Sequence, residues 1–118
     1  MAARFCFVDY DRELGIVAEI EQDGERRLAG IGRLAADPDH TTAEYAVLVA
    51  DPWQGKGLSD TLTEYCLTIA KRWGVETVYA ETTPENRRMI AVLRSHGFDV
   101  ERRPEEGVVV GTRATTAG

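Results

Sequence analysis

A short turn in the middle of the chain has the composition of an anion-binding site. The segment Gln54-Gly55-Lys56-Gly57-Leu58-Ser59 follows an apolar run and leads into residues with helical spacing. The first amides of a helix have no helical acceptor, and the aligned peptide dipoles add partial positive charge there. Glycines let phosphate oxygens approach these amides, and Lys56 adds a formal charge. The segment therefore predicts a pyrophosphate site, although similar turns also connect strands to helices without any ligand.

Two familiar phosphate-binding motifs do not fit this turn. The dinucleotide motif GxGxxG requires a glycine where the chain has Asp60. The nucleoside triphosphate motif GxxxxGK[ST] fails because no glycine stands five residues before Gly55 and because Gly57, rather than serine or threonine, follows Lys56. The turn therefore predicts an anion site of a different kind.

The composition is typical of one globular domain of modest size. The chain has 118 residues, of which 43% are hydrophobic and 29% charged, and a net charge of −6. This charge argues against nucleic acid as a partner, because phosphate neutralisation needs clustered lysine and arginine. Cys6 and Cys66 lack the spacing of a disulfide framework or a zinc site. No apolar run reaches the ~20 residues of a membrane span and the start lacks a signal-peptide core, so we expect a cytoplasmic protein with no membrane partner.

The first half of the chain predicts three strands and one helix. Residues 14–36 contain two strand-like runs joined by a turn at residues 22–25, and residues 43–50 form a third run. The near-continuous apolar centre of this third run is typical of a strand covered on both faces. After the glycine turn, apolar residues recur on one helical face, which includes Cys66, and Gly74 ends the predicted helix.

The second half predicts one more strand and helix, followed by two short strands. Residues 75–83 follow a crossover helix, so this strand is predicted to lie parallel to the third one. Thr83 and Pro84 have the residue types of a helix cap and a first helical position, and Gly97 ends that helix. Two short strands flank a polar turn at residues 103–106. The whole order is β-β-β-α-β-α-β-β, which predicts an α/β domain with a mixed sheet.

Two segments in this order resemble the GNAT superfamily of acyl-CoA N-acyltransferases. The family motif Q/R-x-x-G-x-G/A begins a helix after a splayed strand, and Gln54, Gly57 and Ser59 occupy its positions, with serine a mild departure from glycine or alanine. The segment ENRRMIAVLRSHGF, residues 85–98, resembles the family's later motif. More narrowly, these segments together with FVDYDRE resemble the acetyltransferase domain of bacterial protein-lysine acetyltransferases. The resemblance covers about residues 5–112.

The resemblance implies a GNAT-like mixed, mostly antiparallel sheet in a single domain, residues 1–118. Complete family members begin with a further strand and two helices that form one wall of the acceptor site. We expect this chain to lack the usual first strand and two helices, because it starts after that region. The resemblance also implies acetyl-CoA as co-substrate, an amine acceptor and no metal.

For the co-substrate, the resemblance implies two sets of contacts. Backbone amides of the glycine turn hold the pyrophosphate. The exposed edge of the preceding strand pairs with the pantetheine arm through its backbone alone, because burial in the core accounts for the side chains of that strand. A family asparagine near the second helix contacts the same arm. Trp53 and His96 are interpreted as structural residues. The implied binding residues are Leu48, Val49, Gln54, Gly55, Lys56, Gly57, Leu58, Ser59 and Asn86.

Transfer to an amine needs a base, because an amine is protonated near neutral pH and must lose a proton before it attacks a thioester. The resemblance implies Glu44, on the strand that leads to the glycine turn, with Glu81 on the neighbouring strand as the second candidate. Many relatives carry a tyrosine acid four residues before the glycine of the Gly-Phe pair, where this chain has Leu93. Tyr45 and Tyr79 are alternatives that the spacing does not support. Direct attack in a ternary complex is the implied mechanism.

Three interpretations remain open from the sequence. The first is an enzyme that acetylates an amine, with protein lysine as the leading acceptor. The second is a regulatory module that binds acetyl-CoA without transfer, which the missing front segment and Leu93 favour. The third is a ligand-free dimerisation domain whose exposed strand edge is covered by another copy. The presence of Gln54, Gly57 and Asn86 weighs against the third interpretation.

Overall fold

A seven-stranded sheet carries two helices on one of its faces. In this computed structural model, which describes residues 3–115, the elements are β1 (Ala3–Asp9), β2 (Glu13–Gln22), β3 (Glu25–Ala36), β4 (Thr42–Val49), a 3-10 turn (Asp51–Trp53), α1 (Leu58–Arg72), β5 (Thr77–Thr82), α2 (Arg87–Ser95), β6 (Asp99–Arg103) and β7 (Val108–Ala114). The strands lie in the order β1-β2-β3-β4-β5-β7-β6. β4 and β5 are parallel, and the other neighbouring pairs are antiparallel. The predicted α/β class and the mixed, mostly antiparallel sheet are confirmed.

The turn between β2 and β3 is encoded by two residues. Asp23 and Gly24 have positive φ angles of 53° and 78°, and they join a strand that ends at Gln22 to one that begins at Glu25. Two central residues with positive φ are typical of the type I′ turn, whose twist matches that of the flanking strands, and Asp-Gly is a preferred sequence for it. The predicted hairpin is therefore confirmed.

The edge strand β1 was not predicted. It pairs with β2 along its whole length, whereas no strand was predicted before residue 14, although Phe5 and Phe7 alternate within the continuous apolar run of residues 5–8. That alternation has a structural role, since the rings of Phe5 and Phe7 lie 5.1 and 5.2 Å from the ring of Tyr65 on α1. The expectation that the sheet has no strand ahead of its first hairpin was wrong. Within residues 3–57 the structure contains no α-helix.

Both helices pack closely on the sheet because glycines remove side chains from the contacts. A Cβ atom on Gly30 of β3 would lie 3.3 Å from Leu62 of α1, and one on Gly111 of β7 would lie 3.0 Å from Leu93 of α2. The predicted face of α1 is buried, and Cys66 on it is fully inaccessible. Neither helix of the described range has the length and hydropathy needed to cross a membrane.

The second helix begins later than predicted. Asn86 is the N-cap of α2, and its Oδ1 accepts a hydrogen bond from the amide of Met89 at 3.1 Å. Thr83 and Pro84, which were predicted as the cap and the first helical position, lie in the turn that follows β5. Two cap signals compete in this segment, and asparagine is the stronger helix cap of the two.

The other face of the sheet has no covering element among residues 3–115. In cross-strand register, Cys6, Val17, Ile31 and Leu48 form one apolar row over four strands. Leu48 is 71% exposed and Ile31 is 38% exposed. The prediction that β4 is covered on both faces was therefore wrong, and burial does not explain the side chain of Leu48. On β4 the buried side chains are those of the helix-covered face, such as Val49, because both helices lie on that side.

Candidate functional site

β4 and β5 pair over a short stretch and then separate. Their parallel ladder runs from Thr42 opposite Thr77 to Glu44 opposite Tyr79. Beyond this point β4 stays paired with β3 as far as Val49, whereas β5 stays paired with β7. The sheet therefore opens into a cleft between the C-terminal halves of two neighbouring strands, with Glu44 and Tyr79 at its closed end.

The cleft lies between the end of β4, the glycine turn and the start of α2. Its lining consists of Val47, Leu48, Val49, Gln54, Gly55, Ser59, Asn86, Arg88 and Met89. Six of these nine residues are among the predicted co-substrate contacts, whereas Val47, Arg88 and Met89 were not predicted. The edge of β4 that faces β5 has no strand partner in the described sheet beyond Glu44. This backbone edge is available to an extended ligand, as in strand addition.

The glycine turn leaves its amides free. Gly55 and Gly57 have φ angles of 76° and 83°, in the left-handed region that glycine adopts without steric cost. Gly57 is the N-cap of α1 and has no side chain to cap it. Within residues 3–115, the amides of residues 55–60 donate to no protein acceptor, and a Cβ atom on Gly57 would meet nothing within 4 Å. The positive end of the helix dipole is therefore open beside the cleft, as anion binding requires.

Gln54 connects the turn to β4 and to α2. Its Nε2 donates to the carbonyl of Val49 at 3.2 Å, and its Oε1 accepts from Nη1 of Arg88 at 3.1 Å. The same guanidinium nitrogen would lie 3.7 Å from a Cβ atom on Gly55. Gln54 thus holds the turn in place, and Arg88 brings a positive charge to it. The available sequence signal for this charge was the Arg87-Arg88 pair directly after a helix cap.

Three implicated residues of the turn do not line the cleft. Gly57 caps α1, Leu58 is buried in the core, and Lys56 is exposed. Lys56 makes no ion pair with any residue between 3 and 115. Leu58 can therefore offer a ligand only its amide, whereas the Lys56 ammonium is free to reach an anion at the turn.

Both candidate bases lie close to Tyr79. Glu44 is exposed and is the register partner of Tyr79, while Glu81 follows two residues later on β5 and shares its face. Partial burial, followed by the charges of Glu44, Glu81 and Asp37, raises the pKa of the Tyr79 phenol. The closed end of the cleft therefore places the Tyr79 hydroxyl within the electrostatic influence of several carboxylates, of which Glu44 has the largest effect.

The positions of Tyr45, Leu93 and His96, which the sequence raised in connection with proton transfer, are determined by packing. Tyr45 lies on the helix-covered face at 1% exposure, and burial raises the pKa of its phenol. Leu93 is fully buried under α2. His96 follows α2, where its Nδ1 and Nε2 lie 2.7 Å from a carboxylate oxygen of Glu64 and 2.9 Å from one of Asp60, both on α1. None of these three residues lines the cleft, and His96 serves to join the two helices, in agreement with its interpretation as a structural residue.

Comparison with known proteins finds one family that covers most of the chain. The sequence matches the Acetyltransferase (GNAT) family over residues 2–98. The chain belongs to the GNAT acetyltransferase family. This GNAT chain is 34% identical over 103 residues to Acetyltransferase PA5475 of Pseudomonas aeruginosa, and the match covers 87% of the chain and 55% of the relative. The chain thus spans about half the length of this curated relative.

Solved structures share the fold of this GNAT chain. The GNAT domain of S. lividans PAT has a TM-score of 0.75 and 28% identity, with 92% of the present chain and 65% of that chain covered. The structure of yncA from Salmonella typhimurium with its cofactor acetyl-CoA has a TM-score of 0.76 and 23% identity, and the match covers 90% of the present chain and 66% of that chain. The GNAT fold of residues 3–115 is therefore shared with proteins that are longer than the present chain.

Proposed function

We propose that this GNAT chain transfers an acetyl group from acetyl-CoA to an amine, and that the acceptor is a protein lysine. The observation that carries the proposal is the meeting of an unpaired strand edge with free amides at residues 55–60. An extended pantetheine arm can pair with the edge of β4, while the diphosphate meets the amides and the helix dipole. The acetyl-CoA held in the yncA structure supports this choice of co-substrate.

Transfer is proposed to occur by direct attack in a ternary complex. Glu44 accepts a proton from the acceptor ammonium, directly or through a water molecule. The amine nitrogen then forms a bond to the thioester carbonyl carbon, and the carbon–sulfur bond breaks as CoA leaves as a thiolate. Amides of β4 stabilise the oxyanion. Tyr79, whose phenol is protonated at neutral pH, gives its proton to the thiolate and takes up the second proton that the acetylated nitrogen loses, so that the phenol ends the step as it began.

The charge at the closed end of the cleft supports a cationic acceptor. Glu44, Glu81 and Asp37 all act on the pKa of Tyr79, and the chain has a net charge of −6. Surfaces of one sign concentrate ligands of the opposite sign and accelerate their association. The resemblance of the sequence to bacterial protein-lysine acetyltransferases favours a lysine side chain as that cation.

A second candidate function is acetyl-CoA binding without transfer. Leu93 occupies the position at which many GNAT enzymes carry a tyrosine acid, and it is fully buried. Such a domain would report acetyl-CoA to a partner protein. A ligand-free dimerisation domain is the third candidate, and the exposed side chains of Ile31 and Leu48 favour a homodimer in that case.

Replacement of the base separates these candidates. Acetyl transfer from acetyl-CoA to a lysine peptide is measured together with acetyl-CoA affinity. Glu44→Gln should lower the transfer rate by about 10²–10⁴-fold and leave the affinity unchanged, whereas Glu81→Gln, the matched control on β5, should keep most of the activity. Transfer at the wild-type rate by Glu44→Gln would refute the base assignment. Binding without transfer by the wild type would favour the second candidate, and no binding would refute both.

A further inference from the structure

The first strand leaves one backbone edge of the sheet unpaired. β1 stands at the end of the strand order, and β2 is its one strand partner within residues 3–115. The two strands pair from Ala3 to Asp9 without a bulge. Alternate residues of β1 therefore direct their amide and carbonyl groups away from the sheet. A regular free edge of this kind is a template for another strand.

β1 also lacks the residues that protect an edge strand from pairing. Its sequence, ARFCFVD, contains neither proline nor lysine, and its charged residues lie near its two ends. Between them stand four consecutive apolar residues, of which Phe7 and Val8 are each 46% exposed. The free edge is therefore apolar at its centre, which favours a second strand of the same character.

We infer that β1 pairs with β1 of a second copy of this chain, antiparallel and about a two-fold axis at Cys6, so that two sheets become one. An axis perpendicular to the sheet keeps every side chain on its own face. Cys6 then lies opposite Cys6 of the second copy, Phe5 opposite Phe7, and Arg4 opposite Val8. Each protomer contributes the same surface, as a closed dimer requires.

The proposed register gives both phenylalanines of β1 an aromatic partner. Phe5 and Phe7 lie on the helix-covered face, where their rings contact the same tyrosine of α1. An axis at Phe7 would place Phe5 opposite Asp9 of the second copy, and an axis at Phe5 would place Phe7 opposite Ala3. The proposed axis instead forms two cross-strand aromatic pairs, which are among the stabilising pairs of antiparallel sheets.

The other face and the strand ends agree with this register. On the uncovered face, the apolar row that runs from Leu48 to Cys6 ends at the free edge, and pairing at Cys6 joins it to the same row of the second copy. Antiparallel pairing also brings the end of β1 that carries Arg4 beside the end that carries Asp9. The acetyl-CoA cleft begins at β4, about 14 Å away across three strand spacings, so both clefts of the dimer stay open.

Disulfide trapping tests the register. Opposite residues of an antiparallel pair have Cα atoms about 4.5–5.5 Å apart, which a disulfide can span. The full chain is treated with copper phenanthroline as oxidant, and covalent dimers are measured on a non-reducing gel. The wild type should form a covalent dimer and Cys6→Ser should form none, because Cys66 is fully inaccessible.

A cysteine two positions along the same strand is the matched control. Val8→Cys in the Cys6→Ser background places the thiol on the same face at a residue that is 46% exposed. In the proposed register the two copies of this position lie about 13 Å apart along the strands. The control should therefore form disulfides about tenfold more slowly than the wild type. Equal rates would show random collision and overturn the inference.

Sedimentation equilibrium tests the interface without a crosslink. Val8→Lys should raise the dimer dissociation constant by about 10- to 100-fold, because a lysine on an edge strand opposes pairing. Leu28→Lys makes the same kind of change at a 54% exposed residue of β3 and should leave the constant unchanged. Both variants should bind acetyl-CoA like the wild type. A wild-type chain that is monomeric at millimolar concentration would overturn the inference, and so would dissociation by Leu28→Lys alone, which would assign the interface to the uncovered face.

Discussion

Replacement of Gly57 by glutamate is the most direct perturbation of the anion site. The residue is the N-cap of α1 with φ at 83°, and a Cβ atom there would meet nothing within 4 Å. The new side chain therefore has room, and its carboxylate would stand beside the free amides. A left-handed φ costs a residue with a Cβ atom about 1–2 kcal/mol, so the variant should remain folded with a modest loss of stability.

The loss of affinity follows from Coulomb's law. A carboxylate about 5 Å from a phosphate interacts with it by about 1–3 kcal/mol per unit charge at effective dielectric constants of about 80 to 20. The site is exposed, so the lower part of this energy range applies, and about two phosphate charges lie near the turn. The free energy of acetyl-CoA binding should therefore become less favourable by about 2–4 kcal/mol, which raises the Kd by about 30- to 1,000-fold. Isothermal titration calorimetry measures this change directly.

Two control variants separate charge from backbone strain. Gly57→Ala introduces the same strain without a charge. Gly74→Glu introduces the same charge and strain at the other end of α1, where φ is 78° and a Cβ atom would again meet nothing within 4 Å. Both controls should bind acetyl-CoA within about threefold of the wild type, since strain mainly lowers overall stability. An affinity of Gly57→Glu equal to that of Gly57→Ala would refute the anion site.

Four further predictions concern the two cysteines and the helix contacts. Burial raises the pKa of the Cys66 thiol to about 12 from an ordinary value of 9.0, so the folded state keeps a proton that the unfolded state loses. The midpoint of urea denaturation should therefore fall as the pH rises from 9 toward 12, and it should fall less in the Cys66→Ala variant. Equal dependence of the midpoint on pH in the wild type and the variant would contradict this prediction. Cys6, on the edge strand, should react with a thiol reagent long before Cys66. His96→Ala removes two contacts between the helices and should lower the free energy of unfolding by about 1–2 kcal/mol. A variant with the same urea denaturation curve as the wild type would contradict this prediction. Leu93→Tyr should overpack the contact with Gly111 and cost about 1–3 kcal/mol without faster transfer, and a faster rate would contradict the burial of this position.

The sequence predicted local features whose cause is local. The Asp23-Gly24 hairpin and the end of α1 at Gly74 are confirmed, because positive φ angles at these positions need particular residue types. The helical face that includes Cys66 is also confirmed, since its spacing alone determines which side chains face the sheet. The order of the remaining strands and helices also followed from their periodic patterns and turn residues.

Features that depend on contacts between distant segments were not predictable. The exposure of Leu48 follows from both helices packing on one face, which its own apolar run cannot reveal. The start of α2 depended on competition between two cap signals, and Asn86 rather than Thr83 became the cap. Arg88 enters the site only because α2 lies beside the glycine turn. The separation of β4 from β5 beyond Glu44 is likewise a property of the whole sheet.

Binding of acetyl-CoA in the cleft between β4 and α2 is the proposal on which the others depend. It is tested most directly by NMR titration of the purified chain with acetyl-CoA, with backbone amide shifts followed for every residue. We expect saturable binding that perturbs the signals of residues 47–59 and of Asn86, with little change at the far end of α1. No binding at millimolar ligand, or shifts confined to residues outside the cleft, would contradict it.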